Sequence, residues 1–291
     1  MPSVKDLRDR IRSMKNTQQI TKAMKQVAAA KIRRAEAAQK QARPYADALS
    51  RMLNDLMAAV SSVDHPFMKP GRQGAPVGVI LMTADKGLCG AFNGNLIRAA
   101  EQFQKTHPNA VFYSVGIKAR NAIRRMGQPD HATWPLNVPT KLATAQDVAS
   151  LVTQAFVDGK ISEIVLISAK LVSMISQRPE TRRLVPFSQS AASEAEHAKG
   201  GGAKGAVEFA PSPEFVLSRL LPKYLEFTLF SSMLETDASF FAAQLVAMNN
   251  ATENAGKLID EYTIQMNNAR QAAITKELLE IVGGAEALSG S

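Results

Sequence analysis

The sequence predicts a mixed α+β and α/β fold: a long antiparallel coiled coil of N- and C-terminal helices, joined to a Rossmann-like α/β middle domain. Residues 5–57 contain no glycine and one proline, and residues 223–282 contain no proline and one glycine. As helices these segments would span roughly 80 and 90 Å. A helix that long needs a partner helix along its length to bury its apolar stripe. Between them, apolar segments that alternate with amphipathic ones predict the α/β domain.

We expect five parts along the chain. They are an N-terminal coiled-coil helix over 1–60, a linker over 61–76, a globular α/β domain over 77–187, a flexible loop over 188–211 and a C-terminal coiled-coil helix over 212–291.

The N-terminal segment carries a narrow apolar stripe with a repeat of about 3.5 residues, which is typical of a left-handed coiled coil. The repeat slips where Thr17, Gln18 and Thr21 occupy seam positions. Such a polar break predicts local unwinding or a contact with something outside the helix pair. The apolar seam residues are Val4, Leu7, Ile11, Met14, Met24, Val27, Ala35, Ala38, Ala42, Tyr45, Leu49, Met52 and Leu56.

The middle of the chain carries short apolar runs separated by amphipathic segments, a pattern that favours a partly parallel sheet. The runs predict buried strands at 77–84, 110–115 and 163–167, and further strands at 172–176 and 182–187 with Pro179 between them. The amphipathic segments predict helices at about 95–104, 118–125 and 144–157.

The C-terminal helix follows a low-complexity segment, 188–206, which we expect to be disordered. Ser212 and Pro213 predict the helix start, as cap and first-turn residue. Pro222 is expected to kink or restart the helix. Its apolar side continues to the C-terminus, and Gly283-Gly284 is expected to end the regular pattern.

Composition excludes several classes of protein. No run of about 18 apolar residues is present, so no membrane span is predicted. The first residues lack the apolar core of a signal peptide and a long Arg/Ser-rich presequence, so we expect no signal or transit peptide. One cysteine, Cys89, excludes an internal disulfide or a cysteine metal cluster.

Positive charge is concentrated at one end. Residues 1–43 contain twelve Lys or Arg against three Asp or Glu, a net charge of +9, which equals the net charge of the whole chain. This imbalance indicates an acidic protein surface, a nucleic acid or an anionic membrane face as partner. The stripe beside the seam is equally consistent with a solvated helix face. Its residues are Lys5, Arg8, Arg12, Lys15 and Lys22.

No catalytic constellation is evident, and no cofactor or metal site is predicted. The glycine spacing 87-90-94 is not a dinucleotide fingerprint and favours a tight packing turn. Residues 200–205 resemble a P-loop but lack its final Ser or Thr. Cys89 is interpreted as a small buried hydrophobe. The histidines are scattered without metal-ligand spacing; they are His65, His107, His131 and His197.

Four stretches together resemble the gamma subunit of the F-type ATP synthase. The last carries that family's C-terminal signature, Ile-Thr-x-Glu-x-x-Glu-x-x-x-Gly-Ala, and the resemblance covers the whole chain. The stretches are Asn16–Lys31, Gly87–Asn93, Met248–Ala255 and Asn268–Ala285.

The resemblance implies a non-catalytic rotating shaft without a cofactor. Its helix pair would fill the hole of a ring of alternating alpha and beta subunits, and its middle domain would lie beside the epsilon subunit and on the membrane c-ring. Proton-driven rotation of the c-ring would then drive ATP synthesis at the beta subunits, and ATP hydrolysis would run the cycle backwards. The implied location is peripheral, on the cytoplasmic face of a bacterial inner membrane, with no nucleic acid as partner.

The resemblance also implies roles for individual residues. Contacts with the beta subunit are expected from Met24, Lys25, Arg270, Gln271 and Thr275. An apolar bearing at the tip is expected from Ile281, Val282 and Leu288, and a contact with the c-ring is expected from Tyr224 and Glu226.

The chain departs from some relatives at its cysteine. Certain plastid members of the family carry a cysteine pair for redox control, whereas this chain has Cys89 alone. A thiol switch of that kind is therefore not expected. The alternatives to the shaft are a stand-alone coiled-coil scaffold or adaptor and a basic nucleic-acid-binding protein, whose affinity would fall steeply with salt.

Overall fold

A computed structural model describes residues 3–59, 65–187 and 212–289. The chain divides into two compact units, one of residues 1–28 with 245–291 and the other of residues 29–244. The segment 188–206 lies outside the described residues. The helices are α1 (Val4–Ala59), α2 (Phe92–Thr106), α3 (Ile117–Arg125), α4 (Lys141–Val157) and α5 (Pro213–Ser289). The strands are β1 (Val77–Met82), β2 (Val111–Val115), β3 (Asp130–Trp134), β4 (Glu163–Leu171) and β5 (Gln177–Val185).

The larger unit is built on one five-stranded sheet in the order β3-β2-β1-β4-β5. β1 pairs in parallel with both β2 and β4, and β3 pairs in parallel with β2. β5 pairs antiparallel with β4 at the edge. Pro179 lies inside β5, where its missing N–H is tolerated because an edge strand has one unpaired side. The predicted α/β domain with a partly parallel sheet is confirmed.

The central strands β1, β2 and β4 are mostly buried on both faces. Successive residues of a strand point to opposite sides of the sheet, so each strand contributes to two cores. Ile80 and Met82 of β1 face a core formed with α4 and with the parts of α1 and α5 that belong to this unit. Val79 and Leu81 face a second core, formed with α2 and α3. A third cluster joins Cys89 and the start of α2 to α1 and α5.

The smaller unit is an antiparallel helix pair. Contacts across the pair show its direction: residue numbers on α5 increase as those on α1 decrease. The contacting pairs are Lys25 with Asn249, Thr21 with Thr252 and Arg10 with Tyr262. The seam between the helices buries side chains of both, because each helix alone would expose its apolar stripe. The buried residues are Leu7, Ile11, Thr21, Ala28, Met248 and Ala255.

The ends of the predicted helices and strands mostly agree with the structure. The cap at the start of α5 is confirmed, since Ser212 Oγ accepts from the Phe215 amide at 3.2 Å. The restart at Pro222 is wrong, because α5 passes through it as one helix. The expected end at Gly283-Gly284 is also wrong, because α5 extends to Ser289.

Two strand predictions differ from the structure. Residues 172–176 form the whole turn between β4 and β5, and their apolar side chains are exposed, with Ile175 81% exposed. The apolar residues of this segment suggested a strand, but the segment pairs with no other strand that the structure describes, because it reverses the chain between β4 and β5. β3 was missed because it is an edge strand with the sequence Asp-His-Ala-Thr-Trp, which has no apolar run to mark it.

Candidate functional site

The polar break in the seam is a contact within the helix pair. The hydroxyls of Thr21 and Thr252 lie 2.8 Å apart, and the Thr252 hydroxyl is 2.7 Å from the Met248 carbonyl oxygen. Gln18 Nε2 lies 3.5 Å from the Thr252 carbonyl oxygen. A Cβ added at Gly256 would lie 3.1 Å from Gln18 Nε2, so the glycine leaves room for this side chain. α1 continues as one helix through this stretch, so the prediction of local unwinding is wrong. Thr21 is bound within the helix pair, whereas a contact between this break and an outside partner stays a prediction.

Met24 and Lys25 are half-buried on α1. Met24 lies one helical turn before Ala28, which is fully buried. Lys25 Nζ donates to Asn249 Oδ1 at 2.6 Å, and Asn249 Nδ2 donates to Glu253 Oε1 at 2.7 Å. This chain of hydrogen bonds fixes the ammonium against α5. The other two N–H donors of the ammonium are left for solvent or a partner.

Arg270, Gln271 and Thr275 lie on a stretch of α5 whose side chains are all exposed. Among the described residues, Arg270 forms no ion pair with a carboxylate. Its planar guanidinium is therefore free to pair with a carboxylate from another chain, in the two-bond geometry that arginine favours.

The same stretch of α5 carries an unpartnered apolar stripe. Ile274, Leu278, Ile281 and Val282 recur at helical spacing and are each at least half exposed. Residues 270–283 are exposed throughout. Leu288 lies in the last helical turn, and its side chain is outside the described residues. A helix face of this length needs a cover that this chain does not supply within its described part.

The two candidates for a c-ring contact already have partners in the larger unit. The Tyr224 ring lies 5.6 Å from the Phe187 ring, edge to face. Glu226 accepts from Lys223 Nζ at 2.8 Å and from Gln146 Nε2 at 3.2 Å. Both residues are half-buried, so any further contact would use only part of each side chain.

A groove that the sequence did not predict runs between α1 and α5 in the larger unit. It encloses about 380 Å³. Tyr45 and Phe215 on its walls are about half exposed, and the Arg219 guanidinium lies 5.7 Å from the centre of the Phe215 ring. Its other lining residues are Ala48, Leu49, Met52, Val216, Leu220 and Lys223.

The glycine-rich turn after β1 is held by internal bonds. Asn93 Oδ1 accepts from the Ala84 amide at 3.0 Å, and Asn93 Nδ2 lies 3.2 Å from Cys89 Sγ. The Asp85 carboxylate accepts from the Ile117 amide at 3.0 Å, at the start of α3. It therefore caps the N-terminus of α3, the helix that follows the neighbouring strand β2. This agrees with the interpretation of a packing turn.

Cys89 is buried, as interpreted from its apolar neighbours. Burial raises the pKa of its thiol, so little of the reactive thiolate forms near neutral pH. His65 Nδ1 accepts from the Phe67 amide at 3.1 Å, and burial lowers the pKa of His65. His197 lies outside the described residues. Within the described part of the chain, no group of His, Cys, Asp and Glu is arranged to hold a metal ion.

The basic stripe on α1 lies beside the buried seam, and all five of its cations are exposed. In the part of the chain that the structure describes, none of the helices combines the length and hydropathy needed to cross a bilayer.

Comparison with known proteins agrees with the resemblance. A family model described as ATP synthase matches residues 3–288. The ATP synthase gamma chain of Heliobacterium modesticaldum is 41% identical over 290 residues, which cover 99% of this chain and all of the relative. The gamma chain of Desulforamulus reducens is 41% identical over 289 residues, with the same shares covered.

Solved structures support the fold. A chain in the Euglena gracilis mitochondrial ATP synthase, an assembly of OSCP, F1 and c-ring, aligns with a TM-score of 0.68 at 19% identity, covering 98% of this chain and 94% of that one. A chain in the central stalk and c-ring of the Tetrahymena thermophila enzyme aligns with a TM-score of 0.58 at 22% identity, covering 80% and 99%. On the full-length match to its bacterial relatives, this chain belongs to the ATP synthase gamma chain family.

Proposed function

We propose that this chain is the central rotary shaft of an F-type ATP synthase. It couples proton-driven rotation of a c-ring to ATP synthesis, or the reverse, at sites carried by beta subunits. The full-length match to ATP synthase gamma chains carries the proposal. The chain itself is non-catalytic and acts through its contacts with the neighbouring subunits.

The partners proposed are the alpha and beta subunits, the epsilon subunit and the c-ring. Similar chains occur in structures of F1 with its c-ring and of the central stalk with its c-ring. In that setting the chain is peripheral to the membrane, on the cytoplasmic face of a bacterial inner membrane.

The beta-subunit contacts are proposed at two places. On α1, Lys25 donates the hydrogen bond to Asn249 that ties the two helices together, and Met24 is its neighbour in the chain. On α5, Arg270, Gln271 and Thr275 are exposed, and the Arg270 cation has no ion-pair partner among the residues that the structure describes. Carboxylates in loops of the beta subunits would pair with Arg270. As the shaft turns, Arg270 would contact the loops of successive beta subunits.

The tip is proposed to turn inside an apolar collar. Ile281 and Val282 are exposed and make no directional bond that rotation would break. Leu288 is proposed to extend that surface. At the other end, Tyr224 and Glu226 are the proposed contacts to the c-ring, supported by their partial exposure alone.

Co-purification tests the proposal. An affinity-tagged chain, expressed with the other subunits of its own synthase, should bring down alpha and beta subunits at about three copies of each per shaft. Recovery of the chain without them contradicts the proposal. A parallel gel-shift with duplex DNA at several salt concentrations tests the basic stripe: affinity that falls steeply with salt would favour a nucleic-acid binder instead.

A further inference from the structure

The strand β4 continues beyond its neighbour β1 at the carboxyl end. Their last pair is Leu81 with Ile167. β1 then stays with β2, since the Thr83 amide donates to the Val115 carbonyl oxygen at 2.8 Å. β4 extends to Leu171. The last residues of β4 therefore have no strand on the side that β1 occupied.

Two side chains of α5 accept hydrogen bonds from this open edge. The Ala169 amide donates to Thr236 Oγ1 at 3.4 Å. The Leu171 amide donates to Glu235 Oε1 at 3.1 Å. The Val172 amide donates in the opposite direction, into the turn before β5, and amides alternate along a strand. Adjacent residues of one helix thus replace the acceptors of a missing strand.

Two further polar contacts flank this pair on α5. Arg182 of β5 donates to Ser232 Oγ at 3.1 Å. Lys141, at the start of α4, lies 3.1 Å from Asp237 Oδ2, and both side chains are nearly buried. The residues from Ser232 to Asp237 therefore bind both strands of the sheet edge and one helix, within less than two turns of α5.

These bonds constrain α5 in a way that apolar packing does not. Apolar contacts are non-directional and tolerate small rotations of a helix. If α5 rotated or slid along β4, the amides of Ala169 and Leu171 would lose their acceptors. Because Thr236 is fully buried, water could not take the place of its hydroxyl as the acceptor for the Ala169 amide.

We propose that Glu235 and Thr236 are positioning residues that fix the rotational register of α5 on the sheet, so that torque applied to the α/β core passes into α5 without slip. The inference rests on the proposed function, since torque matters only if the chain is a rotor. α5 continues from this joint into the smaller unit.

The test compares two double variants. Glu235→Ala with Thr236→Val removes both acceptors, and Glu235→Gln with Thr236→Ser keeps an acceptor oxygen at each position. In the purified chain, amide hydrogen exchange at Ala169 and Leu171 should be about tenfold faster or more in the first variant. The second variant should exchange no faster than wild type. Wild-type exchange in the first variant would overturn the proposed joint.

The second measurement uses the assembled synthase in inverted membrane vesicles. With the acceptor-free variant, ATP-driven proton pumping should fall while ATP hydrolysis is retained, and the acceptor-keeping variant should pump normally. If the first variant does not fold, Thr236→Val alone gives the same comparison with Thr236→Ser. A fold defect alone would lower both activities together, so a wild-type ratio of protons pumped to ATP hydrolysed overturns the inference.

The two proposals fail in different ways. If the wild-type chain does not assemble with alpha and beta subunits, the proposed function is overturned and the torque role with it. If the wild-type synthase pumps and the acceptor-free variant pumps equally well per ATP, only the role of Glu235 and Thr236 is overturned.

Discussion

Charged side chains of this protein differ in whether the chain itself supplies their partner. Lys141 and Asp237 form a nearly buried ion pair, and removing either would leave a buried charge, which is strongly destabilising. Arg270 is exposed and has no ion pair within the described residues. A cation of the first kind stabilises the fold, whereas a cation of the second kind is available to another subunit.

Arg270→Ala should therefore affect function rather than stability. The substitution should change the free energy of unfolding by no more than about 0.5 kcal/mol, as expected for an exposed residue. ATP synthesis in membrane vesicles should fall clearly, and Arg270→Lys should restore it only in part, because lysine lacks the planar two-bond geometry. Wild-type synthesis rates in the alanine variant would contradict the proposed beta-subunit contact.

Glu235 predicts a pH dependence of stability. Burial raises its pKa, and Glu180 adds to the rise, while the Leu171 amide, Arg182 and Lys170 oppose it. The native protein thus binds this proton more tightly than the unfolded chain does. Its contribution to stability is present below the unfolded-chain pKa of 4.5 and is lost as pH rises through the higher native pKa.

Glu235→Gln should remove this dependence, since glutamine stays neutral and keeps an oxygen to accept from the Leu171 amide. Urea midpoints measured from pH 4 to pH 8 should show the variant gaining on wild type as pH rises. The difference between the two proteins is the quantity to use, because the lowered pKa values of Asp6 and Asp158 act in the opposite direction in both. A constant difference across the range would count against a raised pKa.

At the scale of whole elements, hydrophobic period predicted most of the fold. β1, and the first half of β4 after its leading glutamate, are apolar runs buried mostly on both faces. The seam predicted for α1 is right only in part, because Val27 and Met52, which belong to it, are about half exposed. β3 and the turn at 172–176 were mispredicted because edge position depends on neighbouring strands, which a local pattern does not record. Glu235 and Thr236 were missed for a similar reason: their role arises only where β1 stops pairing with β4.

The helix pair of the smaller unit depends on small side chains at its seam. Ala28 is fully buried, whereas Ala30 on the same helix is exposed. Ala28→Leu should lower the free energy of unfolding by about 1–3 kcal/mol, because the added atoms have no room at the interface. Ala30→Leu adds the same atoms to the solvent side and should change stability little. Thermal melts followed by circular dichroism would compare them, and equal midpoints would argue against close packing at Ala28.

For the molecule as a whole, the main question is what covers the apolar stripe of α5 beyond the paired helices. Ile274, Leu278, Ile281 and Val282 are exposed in the chain by itself. Monomeric proteins rarely leave a contiguous apolar surface uncovered unless it binds a partner. A ring of alpha and beta subunits around α5 would supply that cover. The groove between α1 and α5 is a separate surface of the larger unit.

Cysteine labelling tests that cover directly. Leu278→Cys should react quickly with a maleimide in the isolated chain, since the position is exposed, and slowly once alpha and beta subunits are bound. Lys105→Cys, at the exposed end of α2, is the matched control and should stay reactive in both states. Cys89 contributes little background because it is buried and its thiol pKa is raised. If Leu278→Cys is labelled equally fast in the complex, the stripe is not the surface that the ring encloses, and the shaft must meet its housing elsewhere.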